Sequence, residues 1–419
     1  LFLWNVIMVL LSTSLSWGMH GDRDAFFLVL TKQLVELNVL CVKVFQALAL
    51  DFHWVDETLA NHMMRFTDNA PWTCADIDFQ TMADVAEKYG LYLGNGYPIN
   101  AGMISLVFQV KDKESGNFVI LKLKRLDIEG RLKRDMDNML FLVRLLSFLP
   151  WGVHASLAEI VAKNMQLLKH QTNFLEEVDN MARIRENCKH LKYVVIPVAN
   201  RQVTEEFPNV ILMDYIHGTK LSHLAEQDYL PCAKLVVKFG LVTSLLHGLT
   251  HGDLHSGNVL FVRDSSNGAF KLGVLDFGLV HKVDPHFKAV LFELVSQLFE
   301  LPPRECALKI LHSGILDPPN LESVVPKKDY DELLTFTEQL IRETLFESRK
   351  ANQLQLYKFL TKLKSCLAMY GVKPSEELTK SQLVLAMAHG VTLTLCKGQF
   401  MELMDTCMAE VFRTDLLWR

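Results

Sequence analysis

The sequence lacks any Cys-x-x-Cys pair and any Cys/His spacing of a zinc module; its eight cysteines are scattered from Cys41 to Cys407. Neither a disulfide framework nor a structural metal site is signalled, and the thiols read as reduced and mostly buried. Glycine and proline are sparse, at 21 and 13 of 419 residues, which excludes collagen-like and low-complexity chains. No sign of charge prevails, since 43 Lys and Arg against 48 Asp and Glu leave −5, and no nucleic-acid partner is expected. Long apolar runs are missing beyond the first stretch, Leu1 to Met19, which is uncharged. As a helix that stretch would reach roughly 28 Å, close to a bilayer core. Its Ser/Thr-rich part, Ser12 to Ser16, and the want of a basic flank favour a buried or membrane-surface helix over a span or signal. No later run is expected to cross a membrane. What is present, half hydrophobic and 22% charged, is a globular chain of two or three modules.

Apolar residues at three- and four-residue spacing predict helices within 24–66, near 76–89, and over 129–149 and 156–190. The Gly-rich stretch Gly90 to Gly102 reads as a loop leading into a β-hairpin, MISLVFQV and FVILKLK across the turn KDKESGN. VVIPV and VILMDYI read as strands. From about Leu221 the pattern is mostly helical, interrupted by the strand-like GNVLFV and KLGVLDF. The residues after Phe299 are helical in pattern without a motif, and read as completing this half or forming a partner surface.

The segment HGDLHSGNVLFV, residues 251–262, carries the most specific signal, with Asp276 in LGVLDFGLV 18 residues after Asn258. An Asp, an Asn five residues on, and then an Asp-Phe-Gly are what phosphoryl transfer of the kinase type needs. Asp253 would take or orient the proton of the attacking hydroxyl, and Asn258 and Asp276 would hold Mg²⁺ through hard oxygen atoms. His251 and His255 read as braces of that loop, since no third soft ligand makes them a zinc site. Such a site needs an upstream strand lysine with a carboxylate to orient it. Lys122 and Lys124 share one face of the second hairpin strand, and Glu129, Glu176 and Glu177 are all helical candidates for the partner. The phosphate-side loop is expected within Tyr97 to Ser105, where small residues let backbone N–H groups approach; it is not a Gly-x-Gly-x-x-Gly.

At these residues the sequence resembles the UbiB-like atypical kinases, or AarF-domain proteins, from about Val35 to beyond Phe299. The family's His-x-Asp-x-His-Pro-Gly-Asn is matched by His251 to Asn258, with Ser256 in place of Pro, and its Asp-Phe-Gly by Asp276 to Gly278. PINAGMISLV resembles the family's Ala-rich nucleotide loop and puts Ala101 and Gly102 at the nucleotide. VILKLKRLDI resembles VAVKVQRPGI and selects Lys122 over Lys124; FLEEVDNMARIREN, with Asn173 before it where Asp is usual, selects Glu177. VILMDYIHG resembles the hinge, placing backbone groups of Met213, Asp214 and Tyr215 at adenine. The family's Lys-x-Gly-Gln, on an N-terminal helical extension that folds over the active site, is met by Lys43-Val44-Phe45-Gln46. Phe45 replaces the Gly, and Ala49 and Asp51 stand where the family has Ser and Arg.

The resemblance implies an α+β, bilobal protein-kinase-like fold: an N-terminal helical extension over 1–89, an N-lobe with a small antiparallel sheet and a helical insertion over 90–216, and a helical C-lobe over 217–419. It implies ATP and Mg²⁺ as ligands, and ATPase or phosphotransferase activity coupled to an isoprenoid or other lipid of the coenzyme Q type. It also implies a membrane surface, a mitochondrial or plastid setting, and a lipid-biosynthetic protein complex as partner. Peptide phosphorylation is disfavoured, because no Ala-Pro-Glu follows Asp276-Phe277-Gly278 and Gly252 stands where many protein kinases place the catalytic-loop Arg. The alternatives are a small-molecule phosphotransferase, whose catalytic loop also resembles HGDLHxGN, and a non-catalytic nucleotide-binding scaffold.

Overall fold

The computed structural model describes residue 70 and residues 72–146, 170–297, 301–347 and 356–375, with scattered single positions elsewhere. Lys43, Phe45 and Gln46, nearly all of the apolar stretch 1–19 and of the helices expected within 24–66, and residues 156–169 of the helix expected over 156–190 lie outside the described residues. Up to Tyr215 the elements run α1 (Phe79–Lys88), β1 (Leu91–Tyr92), β2 (Asn100–Ala101), β3 (Ser105–Asp112), β4 (Phe118–Lys124), α2 (Ile128–Leu146), α3 (Phe174–Asn187), β5 (Val194–Val195), α4 (Arg201–Glu206) and β6 (Val210–Asp214). They continue as α5 (Tyr229–Leu241), β7 (Leu249–His251), β8 (Val259–Arg263), β9 (Phe270–Val274), β10 (Val280–Lys282), α6 (Pro285–Gln297), α7 (Pro303–His312), β11 (Leu316–Asp317), α8 (Lys327–Ile341), α9 (Leu356–Met369) and β12 (Lys373–Pro374). The chain forms two compact units: Leu1–Arg183 with Pro197–Tyr215 and Asp276–Leu279, and the remainder.

The first unit is built on an antiparallel sheet in the order β1-β3-β4-β6, with β2 added to β3. The hairpin pairs Phe108 with Leu121 and Leu106 with Leu123. Alternation sends these four side chains to one face, where they meet Met82, Val85 and Ala86 of α1 and Val203 of α4 in a dry core. α1 starts where Asp78 accepts the Thr81 N–H at 3.1 Å, satisfying one of the free donors of the first turn. The Gly-rich loop holds more order than its composition suggests, because β1 and β2 are two-residue strands that borrow their register from β3. α4 has no apolar periodicity to announce it; the Asn200 side chain caps it at Val203 N–H and Val203 anchors it.

In the second unit β8 and β9 form an antiparallel ladder, and β5 joins β9 in parallel. Of VVIPV, therefore, only Val194 and Val195 are strand. The chain before β8 runs against it through Thr219 and Phe261. A Cβ at Gly218 would stand 2.9 Å from Leu260 Cβ, so the close approach there requires glycine. Helical structure is almost continuous over the 22 residues from Glu226 to His247, and its most apolar 18-residue window has a mean hydropathy of 1.4. Contrary to the reading of the sequence, this later stretch is long and apolar enough to cross a membrane. Half of its most apolar window is buried inside the protein, with Val236, Phe239 and Val242 fully covered, as in a core helix. The residues after Phe299 pack α7, α8 and α9 against Val283 and Phe287 into one hydrophobic core. Of the seven described cysteines, Cys74 is exposed and the other six are buried free thiols.

Candidate active site

β4 sets one part of the site. Leu121 and Leu123 face the core, so Ile120, Lys122 and Lys124 occupy the opposite face. Lys122 is 6% exposed, and its Nζ lies 2.6 Å from Glu177 Oε1 and 2.8 Å from Asp276 Oδ2. Lys124 reaches Glu129 at 3.2 Å, where that carboxylate is open to solvent. Both ammonium groups stand over the Phe174 ring, at 5.6 and 5.4 Å from its centroid.

α3 supplies the carboxylate. Asn173 Oδ1 accepts the Glu176 N–H at 3.2 Å and caps the helix, a task Asn performs as well as Asp. Phe174, Glu177, Val178 and Met181 then fall at helical spacing on one buried face, whereas Glu176 is directed toward His170 in solvent. That buried face also grips Asp276-Phe277-Gly278. The Phe277 N–H donates to Glu177, and Phe277 O accepts from Asn180 Nδ2 at 3.4 Å. Asp276 Oδ1 accepts the Gly278 N–H at 2.9 Å, which leaves Oδ2 to Lys122. A Cβ at Gly278 would stand 3.3 Å from Asp276 Oδ1, tighter than an ordinary contact, and 3.6 Å from Glu177 Oε2, in ordinary contact.

Burial opposes the Lys122 charge, but Asp276 and Glu177 outweigh it and hold the ammonium above its ordinary range. Glu177 is pushed up, first by burial and then by the Asp276 charge, against the pull of Lys122. Two carboxylates thus share one buried cation.

The loop of Ala101 and Gly102 and the segment of Met213, Asp214 and Tyr215 border the same sheet. Ala101 is buried opposite Leu106, and Gly102 N–H donates to Ser105 O at 2.9 Å in the turn that follows. At β6, Asp214 N–H donates to Val198 O at 3.1 Å and the Asp214 carboxylate accepts Val198 N–H at 3.0 Å. Asn200 N–H donates to Leu212 O at 2.8 Å, so the segment around Ala199 flanks Met213. The Tyr215 ring meets Phe118 edge-on at 6.3 Å.

In the second unit, the helical stretch closes on Gly248 in the left-handed region (φ 66°), which turns the chain into β7 and the loop after it. Asp253 N–H donates to His251 Nδ1 at 3.0 Å, and Gly257 N–H to His255 Nδ1 at 3.1 Å. Each imidazole accepts a backbone N–H two residues on at Nδ1, which places the ring hydrogen of a neutral His251 on Nε2. His255 Nε2 faces Asp253 Oδ2 at 3.9 Å. Asn258 Nδ2, 3.1 Å from that same nitrogen, is held by Asp253 O at 2.9 Å. With its nitrogen so engaged, Asn258 is left with Oδ1, a hard oxygen, as its ligand atom. Asp253 is 7% exposed.

The structure brings Lys122, Glu177 and Asp276 together in one unit, and Asp253 and Asn258 together in the other. Sequence reading missed Asn180, which holds Phe277, and the Arg125–Asp76 pair beside Gly102. Its spacing of three from Glu177 gave a signal for Asn180; the burial of Asp76 gave none.

The profile of the ABC1 atypical kinase-like domain matches residues 80–308, more than half of the chain. An uncharacterised protein of Synechocystis is 23% identical over 302 residues, 67% of this chain and 71% of that protein. The protein named "Probable protein kinase UbiB" of Providencia stuartii is 26% identical over 50% of this chain and 39% of its own length. An uncharacterised chloroplastic aarF domain-containing protein kinase of Arabidopsis thaliana is 22% identical over 71% of this chain and 42% of its own length. The match thus spans less than half of these last two relatives. Among solved structures, Rv3197 of Mycobacterium tuberculosis, in complex with erythromycin, superposes with a TM-score of 0.50 at 16% identity, covering 91% of this chain and 94% of that one. The fold is the kinase-like α+β fold.

Proposed function

The chain belongs to the ABC1 atypical kinase-like family, and from that premise we propose that it binds Mg·ATP and hydrolyses it or transfers its γ-phosphoryl group, in the service of isoprenoid-lipid metabolism at a membrane. The observation that carries this reading is Lys122 held between Glu177 and Asp276. A lysine fixed by a helix carboxylate and set against the Asp of Asp-Phe-Gly is the arrangement phosphoryl transfer of the kinase type needs in place. A lone structural ion pair would not need the second carboxylate.

Asp276 and Asn258 offer the hard oxygen atoms that suit Mg²⁺, and these two would hold it. Bound there, the ion would neutralise charge on the β- and γ-phosphates. Lys122 supplies positive charge to the α- and β-phosphates, and Glu177 keeps its Nζ in place. Ala101 and Gly102 bring the backbone of their loop up to the phosphates, where the Met103 N–H is the donor that has no acceptor among the described residues, and the Met213 to Tyr215 backbone meets adenine. Asp253 takes the proton of the attacking hydroxyl or water as the bond from the γ-phosphorus to the ADP oxygen breaks. Lys43 and Gln46 are proposed to close the site, as their family motif suggests. A chloroplastic relative is consistent with a plastid setting; the lipid ligand, the lipid-biosynthetic complex as partner, the membrane and the mitochondrial alternative are proposed from the family resemblance alone.

The test follows labelled ATP on purified protein with Mg²⁺, with and without anionic vesicles, scoring free phosphate, labelled protein and labelled lipid. Phosphate release that rises with vesicles, or label on lipid, is the expected result. Label on an added amino-sugar or choline would make the protein a small-molecule phosphotransferase. Binding without turnover, unchanged in Asp253→Ala, would make it a scaffold.

A further inference from the structure

Arg125 follows Lys122 by three residues, at the end of β4, and is 4% exposed. Burying a guanidinium is costly unless its donors are met. Here they are spent on backbone and one carboxylate. Nε and Nη2 both donate to Gly102 O, at 3.0 and 2.7 Å, Nη2 also approaches Ala70 O at 3.4 Å, and Nη1 donates to Asp76 Oδ2 at 3.2 Å. Asp76 is equally buried and is itself fixed. Its carboxylate accepts the Thr73 N–H at 2.8 Å and Arg131 Nη2 at 2.9 Å, and its carbonyl accepts the Leu126 N–H at 2.8 Å. The backbone closes the same ring, since Arg125 N–H donates to Ile104 O and Ala70 N–H to Ala101 O, each at 2.9 Å.

The carbonyl so held belongs to the loop given above to the phosphates. In a planar trans peptide the C=O and the following N–H point in opposite directions. Fixing Gly102 O toward the guanidinium therefore turns the Met103 N–H away from it, and that N–H has no acceptor among the described residues. We infer that Arg125, clamped by Asp76, is a positioning residue that presets the Gly102–Met103 peptide, so that a loop N–H is aimed at nucleotide phosphate before the nucleotide arrives. Two parallel donors on one oxygen fix the orientation of that peptide as the single ammonium of a lysine cannot. The inference rests on the proposed ATP site. Because Ala70 and Asp76 share the clamp, the chain leading into the sheet is tied to the same loop.

The test measures binding of Mg·ATP and of adenosine, which lacks phosphate, to the full chain in wild type, Arg125→Lys and Asp76→Asn, with thermal unfolding of each. Arg125→Lys is expected to weaken Mg·ATP roughly tenfold, the scale of one charge-assisted hydrogen bond. Asp76→Asn should weaken it by a smaller factor, and adenosine should bind alike to all three. Hydrogen exchange of the loop amides should rise in both variants. Mg·ATP binding unchanged in the variants, or adenosine and ATP weakened together, would overturn the inference while leaving the ATP site intact. A wild type that binds no ATP would overturn the site and this inference with it. Should Arg125→Lys not fold, Asp76→Asn decides by the same comparison.

Discussion

The two units hold their chemical groups by different means. In the first, Lys122, Glu177 and Asp276 come from a strand, a helix and a turn, and their bonds span 55 and 154 residues of chain. In the second, His251, Asp253, His255, Gly257 and Asn258 hold one another within eight consecutive residues. A site made by local bonds keeps its shape from its own sequence. One made by distant, buried charges depends on the packing of the whole unit, and loses more when a single member is removed.

That contrast can be broken most strongly at Lys122. Lys122→Met leaves the buried Glu177 carboxylate facing the partly exposed Asp276 carboxylate without their shared cation, and should cost about 3 kcal/mol in denaturant unfolding. Turnover should also fall by roughly two orders of magnitude. A change under about 1 kcal/mol, the scale of an exposed pair, would show that the cluster is not held by charge. Glu177→Gln keeps the Lys122–Asp276 bond, so a smaller loss of about 1–2 kcal/mol is expected. His255→Ala removes the acceptor of the Gly257 N–H and should cost about 1 kcal/mol, with the peak shifts of an NMR spectrum confined to the loop. Shifts reaching the β3–β4 hairpin would contradict the local account. Lys124→Met breaks only a pair with the exposed Glu129 and should change stability by less than about 0.5 kcal/mol.

The same contrast explains what could be read without a structure. Asp253, Asn258 and Asp276 stood out because their order and spacing lie close along the chain. Lys122 and Lys124 share a face, and nothing in β4 itself separates them. The difference is made by Glu177 and Asp276, which approach only once the sheet and α3 have packed. Among the carboxylates, the buried face of α3 marks Glu177 and not Glu176, a distinction that periodicity from Phe174 supports but that resemblance first selected. The hairpin strands were legible because two apolar runs flank a polar turn, and β6 because it lies in a short continuous apolar run. The two-residue strands β1 and β2 were not, since their pairing is dictated by β3. The stretch from Glu226 to His247 was underrated as an apolar run because Lys234 and Lys238 interrupt its pattern. Arg125 and Asp76 were invisible, as a basic residue at a strand end and an acidic one before a helix read as surface charge until their burial is seen.

The most direct test of the account titrates Mg·ATP into the wild type and Asp276→Asn. That change removes the charge meant for Mg²⁺ and for Lys122 while keeping the side-chain shape. The account predicts that the wild type binds and that the variant binds at least roughly tenfold more weakly, a loss of the size of one charged contact. Equal affinity in the two proteins would contradict the assignment of Asp276 to the metal, and with it the central reading of the site.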